Sequence, residues 1–246
     1  MDKDALYEEL LAKAKEDPDV LGFILAGGRG KGMSTKHSDY DLLLIVPNGA
    51  KEAAEEKYIK PYRATESVEG SVLTLEEFRN YGNWDMHENW QAYNFAHLTA
   101  QIDRTGEIQK LIEAKGRIPE EAVKKFVSDN LGGFLNQHYR AFKNDRDGNA
   151  FAAYMDAVES VPRLLDVLFG REGRVRPYNK FLEWELANHP LAHLPWPPGD
   201  FLASIKKVLQ TGDIETMKDF YRQIRDTSLQ MGYEREIKDW EGYKME

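Results

Sequence analysis

The chain contains no cysteine, which excludes disulfides and any metal site built on thiolates. It also lacks long apolar runs: no stretch approaches the roughly 20 residues that a membrane-spanning helix needs. The opening segment, MDKDALYEELLAKAKEDPDV, is acidic and amphipathic and has no apolar core of the signal-peptide kind. Together these absences predict a cytoplasmic protein with no membrane partner. Internal repeats and low-complexity tracts are missing as well. So is an excess of positive charge, because 33 Lys and Arg face 42 Asp and Glu, for a net charge of -9. That balance argues against a protein that follows nucleic-acid phosphates over a long surface. An acidic surface suits a cationic small substrate, although acidity for solubility alone has the same signature.

What is present divides the 246 residues into two halves. The first half mixes strands and helices. Apolar spacing predicts a helix over 4–16, with Leu6, Leu10, Leu11 and Ala14 on one face, stopped by Pro18. VLGFILAGG and DYDLLLIVP read as strands, 50–58 as a helix, and SVEGSVLTLEEFRN as a strand entering a helix at Thr74. There Thr74 and Glu77 have capping-box spacing. AYNFAHLTAQI is a further strand candidate, followed by the turn DRTGE and a helix to about 114. KGRIPEEAV marks a boundary, since Gly116 stops a helix and Pro119 starts one. Beyond it, 120–144, 148–169, 178–187, 201–209 and 214–231 all carry helical spacing.

Chemistry concentrates in AGGRGKGMSTKHSDYDLLLIV. Side chains at i and i+2 of a strand share a face about 6.5–7 Å apart, so Asp39 and Asp41 project together while Tyr40 turns away. Paired carboxylates bind divalent cations through oxygen, and Mg²⁺ commonly takes one or two of them plus substrate phosphates. Gly27 and Gly28 allow backbone N–H groups to approach an anion, and Ser38 can hold the turn before Asp39. A triphosphate–Mg²⁺ complex needs both halves of such a site. The same residues also suit a Gly-rich hairpin turn with solvated aspartates. A P-loop is excluded because Lys31 precedes Gly32 instead of Ser or Thr, and a dinucleotide loop because the segment runs into a strand.

Gly27-Gly28 followed after ten residues by Asp39-Tyr40-Asp41-Leu42 resembles the signature of the polymerase-β-like nucleotidyltransferase superfamily. The fuller GGRGKGMSTKHSDYDLLL is similar to the form found in antibiotic (aminoglycoside and lincosamide) nucleotidyltransferases. The resemblance implies an α+β fold, with a mixed sheet flanked by helices over 1–118 and an all-α bundle over 119–246 that closes over the cleft. It further implies Mg²⁺ on Asp39 and Asp41, and nucleotide phosphates on Gly27, Gly28 and Ser38 with charge from Arg29 or Lys31. The implied reaction is transfer of a nucleoside monophosphate, AMP from ATP, to a small-molecule hydroxyl such as that of an aminoglycoside. A non-catalytic nucleotide- or partner-binding protein and a protein-AMPylating enzyme are the alternatives. In the family a third acid serves as metal ligand or general base, and Glu69, Glu66 and Asp103 are the candidates in that order. Such enzymes often place a lysine from this region near the triphosphate, which makes Lys180, beside Tyr178, a candidate; a solvated lysine on a helix packed by Phe181, Leu182 and Trp184 is the alternative.

Elsewhere the candidates have plainer readings. Asp156 and Glu159 could meet a cationic acceptor, or form the solvated face of a helix. His189 and His193 have helical metal-pair spacing, but Pro190 and Pro195 predict a loop. Trp84, Trp90 and Tyr93 could stack on a base, though packing accounts for them too.

Overall fold

The computed structural model describes residues 2–65, 68–86, 89–240, 242–243 and 245. They form two compact units, Met1–Arg117 and Ile118–Glu246. Glu66 and its candidate role lie outside the described residues.

The first unit opens with α1 (Lys3–Glu16), capped by Asp2, whose carboxylate accepts from the Asp4 N–H at 3.0 Å. Leu6, Leu10, Leu11 and Ala14 form its buried stripe, and Tyr7 joins them. The strands are β1 (Gly22–Leu25), β2 (Tyr40–Val46), β3 (Val68–Thr74) and β4 (Ala100–Asp103), in the spatial order β3-β2-β1-β4. β1 runs antiparallel to β2 and β4, while β2 and β3 are parallel. A parallel neighbour requires a crossover, and α3 (Lys51–Tyr58) provides it. An additional turn of helix, α2 (Gly27–Gly30), follows β1 where the sequence suggested only a loop.

Each sheet face carries its own apolar layer, which explains the unbroken LLLIV run of β2. Tyr40, Leu42, Leu44 and Val46 pack with Val68 and Val72 beneath α1 and α3. Leu43 and Ile45 pack on the opposite face with Phe78 of α4 (Leu75–Asn80) and with Ile108 and Ile112 of α5 (Ile108–Lys115). The Thr74 capping box forms as expected: Thr74 Oγ accepts from the Glu77 N–H at 3.1 Å, and Glu77 Oε2 accepts from the Thr74 N–H at 2.8 Å.

The fourth strand is shorter than AYNFAHLTAQI suggested. Residues Asn89–Asn94 form a 3₁₀ turn, and His97 adopts a φ of 62°, a left-handed conformation that ends extended chain on its N-terminal side. Ala92, Tyr93, Phe95 and Leu98 are all buried without the alternation of a strand. Lys115 enters this region from α5. Its ammonium donates to the Arg79 carbonyl at 3.0 Å and to Asn83 Oδ1 at 2.6 Å, and burial lowers its pKa.

The second unit has no strand among its described residues. Pro119 leads into α6 (Glu120–Arg146), followed by α7 (Ala150–Gly170), α8 (Leu182–Asn188), α9 (Pro198–Thr211), α10 (Ile214–Gln230) and α11 (Glu234–Lys238). The chain is therefore α+β overall. No described helix is long and apolar enough to cross a membrane. Asp156 is not part of a solvated face: it is buried, with Arg140 at 3.1 Å and Asn144 at 2.8 Å, so it ties α6 to α7. Glu159 is exposed and accepts from Gln137 at 2.7 Å. His189 lies at the end of α8 and His193 in the following turn, outside any helix.

Asp213 caps α10, accepting from the Thr216 N–H at 2.9 Å with Lys207 at 2.8 Å. The Lys207 ammonium first, and the Thr216 hydroxyl after it, hold its pKa down to about 2. An unfolded Asp titrates near about 3.9. The stabilisation is therefore complete above that value and fades as pH falls toward 2. Asp213→Ala is expected to lose about 1 kcal/mol at pH 7, and the gap from the parent chain should narrow at pH 3. Urea titrations at the two pH values measure both.

Candidate functional site

The site is set by strand register. In the parallel β2–β3 ladder Asp41 is paired with Glu69, Leu43 with Ser71 and Ile45 with Leu73. Asp39, Asp41 and Glu69 share the face on which Leu43, Ile45 and Leu73 meet the second apolar layer. The acids begin where that layer ends. One oxygen from each of Asp39, Asp41 and Glu69 lies within 4.8 Å of the other two, with both aspartates half-buried and Glu69 exposed. Oxygens on a single Mg²⁺ are at most about 4.2 Å apart, given bonds of 2.0–2.1 Å. The three acids are grouped on the scale of one cation's ligand shell, and their oxygen donors suit a hard cation. Glu69, the first of the three candidate third acids, is brought beside Asp41 by the ladder.

The glycine loop packs against Asp41. The Ala26 N–H donates to the Asp41 carbonyl at 2.8 Å, extending the β1–β2 pairing to the first residue of the loop. Gly27 follows at φ +60°, and a Cβ on it would overlap Asp41 Oδ2. Only glycine fits there without displacing the carboxylate. Gly30 is confined in a similar way, since its Cβ would run into the Leu25 carbonyl. Gly28 lies inside the helical turn, and its carbonyl accepts from the Met33 N–H at 2.7 Å.

The polar residues of the loop hold the loop itself. Ser38 Oγ accepts from the Thr35 N–H at 2.9 Å, while the Ser38 N–H donates to the Thr35 carbonyl at 3.0 Å. These bonds close the turn that delivers Asp39. Arg29 donates to the Ser38 carbonyl at 3.2 Å and to the Tyr40 hydroxyl at 3.1 Å, and lies over the Tyr40 ring at 4.1 Å. Lys31 is 6% exposed; its ammonium donates to the carbonyls of Asn94, at 3.2 Å, and Ala96. Tyr93, one of the three aromatics singled out for stacking, is buried beneath that ammonium at 4.9 Å. Trp90 is half exposed. The described contacts of the cations expected at phosphates are thus with backbone, ring, hydroxyl and carboxylate groups of their own unit.

Asp103, the third-choice acid, lies at the far end of β1, paired with Gly22. Burial works against its charge, but N–H bonds from Gln109 at 3.0 Å and Gly106 at 2.8 Å prevail and keep its pKa low. It caps the turn into α5. Lys180 belongs to the helical unit, exposed in the 3₁₀ turn Asn179–Phe181, with its ammonium 4.7 Å from the Phe181 ring centre. Sequence reasoning missed Asp4. It accepts from the Tyr40 hydroxyl at 2.8 Å and lies 3.2 Å from Arg29. Nothing in its spacing from the loop advertised that contact.

Gly27→Ala is expected to fold with a lowered thermal midpoint, because the methyl must displace Asp41. Calorimetric melting beside the parent chain measures the effect.

No protein-family model matches the chain, and no curated protein sequence does. Solved structures that match include a nucleotidyltransferase-like protein from Exiguobacterium sibiricum. It is 16% identical over 92% of this chain and 74% of its own, with a TM-score of 0.44. A likeness that weak says nothing about chemistry, which is carried by the side chains of the site.

Proposed function

We propose that the chain is a divalent-metal-dependent nucleotidyltransferase that moves AMP from ATP to the hydroxyl of a small cationic acceptor. The observation that supports it is the convergence of Asp39, Asp41 and Glu69 within 4.8 Å, together with a Gly27 that Asp41 leaves no room for a side chain. A hairpin turn with solvated aspartates needs neither feature.

In this reading Asp39 and Asp41 would hold Mg²⁺, which when bound neutralises phosphate charge and orients in-line displacement. The loop at Gly27 and Gly28 offers backbone N–H groups to the triphosphate, and Ser38 keeps the turn in shape. Glu69, the exposed member, takes the proton of the acceptor hydroxyl as its oxygen bonds to the α-phosphorus. The bond from that phosphorus to the bridging oxygen breaks, and pyrophosphate leaves. An aminoglycoside-like acceptor fits the net charge of -9. One observation favours a second reading, a nucleotide-binding protein without transfer. Arg29 and Lys31, the two cations expected at the phosphates, are engaged by carbonyls within their own unit.

Asp39→Asn and Asp41→Asn are each expected to abolish Mg²⁺-dependent ATP binding in calorimetric titration. Glu69→Gln should retain ATP binding and lose at least 100-fold in pyrophosphate release with a polyamine or aminosugar acceptor. ATP binding that ignores both aspartate substitutions would defeat the metal assignment. Intact ATP binding with no pyrophosphate release from the parent chain would select the non-transferring reading.

A further inference from the structure

Tyr40 is the residue between the two aspartates, and its side chain points the opposite way. Its ring is 6% exposed and stacks on Tyr7 of α1, with ring centres 4.5 Å apart and planes 13° from parallel. The hydroxyl emerges at the edge of this stack, accepts from Arg29 at 3.1 Å and donates to Asp4 at 2.8 Å. Arg29 reaches the same point from the glycine loop. Its guanidinium covers the Tyr40 ring at 4.1 Å and donates to the Ser38 carbonyl through Nη2 at 3.2 Å, with Nε at 3.4 Å. One planar group thus holds the residue before Asp39 and the residue after it.

We propose that Arg29, held through Tyr40 by Asp4 of α1, is a positioning residue for the Asp39–Asp41 pair and so sets the affinity of the site for a divalent cation. This rests on the metal reading above. Asp39 precedes the first residue of β2 and has no ladder to fix it. Its backbone is held instead by the Ser38 turn on one side and Tyr40 on the other, and Arg29 joins the two. The Arg29–Asp4 ion pair adds little by itself, because Asp4 is 72% exposed and the attraction is screened. The effective contacts are the ring face and the carbonyl, both shielded: the Arg29 side chain is 16% exposed. Lysine at this position keeps charge over the ring and loses the planar fork that spans both partners.

The test is a Mn²⁺ titration of the full chain without nucleotide, with unbound Mn²⁺ read by electron paramagnetic resonance. Arg29→Met is expected to weaken binding about tenfold, the lower end of what loss of a partner that orients metal ligands typically costs. Arg29→Lys should recover part of that loss, and Tyr40→Phe should weaken binding about threefold while keeping the ring stack. Because no nucleotide is present, an arginine serving only phosphates would leave every titration unchanged. Parent-like Mn²⁺ affinity in Arg29→Met therefore overturns the proposal, provided that Asp41→Asn abolishes binding. If Arg29→Met does not fold, Tyr40→Phe decides, and parent-like affinity there overturns it equally. Binding that survives Asp41→Asn defeats the metal reading itself and this inference with it.

Discussion

The parallel pairing of β2 with β3 is the constraint on which the rest of the site depends. Side chains alternate between sheet faces, so a slip of one residue would carry Glu69 away from Asp41 and bring Val68 or Gly70 in its place. What forbids the slip is burial on both faces. Leu42, Leu44 and Val46 must meet one layer while Leu43 and Ile45 meet the other, and β3 has to offer Val72 and Leu73 in step. Hydrophobic registration several residues away therefore decides which acids converge. The polar end of the sheet inherits its geometry from the apolar end.

Much of this was legible in the sequence because it follows from short-range periodicity. The stripe of α1, the LLLIV strand and the Thr74–Glu77 cap each sit in a window of a few residues, and each has the structure that its pattern implies. The projection of Asp39 and Asp41 to one side was legible for the same reason. Glu69 was only a ranked candidate: its merit depends on β3 lying beside β2, a pairing that strand patterns leave open. The fourth strand was overread because Tyr93, Phe95 and Leu98 look like strand residues until His97 turns left-handed. Burial there comes from a compact turn, which has no period to detect.

Charged residues gave the least away. Arg29 and Lys31 stand where a phosphate-binding loop would want cations, and composition cannot tell a cation that greets a ligand from one that ties down its own backbone. The difference lies in partners distant in sequence: Asp4 for Arg29, and the carbonyls at 94 and 96 for Lys31. Asp156 was misjudged for the same reason, since its partners Arg140 and Asn144 lie on another helix. An acid on an amphipathic helix looks solvated until the neighbouring helix is known.

Lys31 and Lys115 carry a consequence for the chain between them in space. Their ammonium groups hold the segment near Arg79 and Asn83 at one end and near Asn94 and Ala96 at the other. Three of those four acceptors are backbone carbonyls, which every residue type supplies. An attachment of that kind barely reads the sequence it grips. At those three points the chain is held through groups that a substitution does not remove.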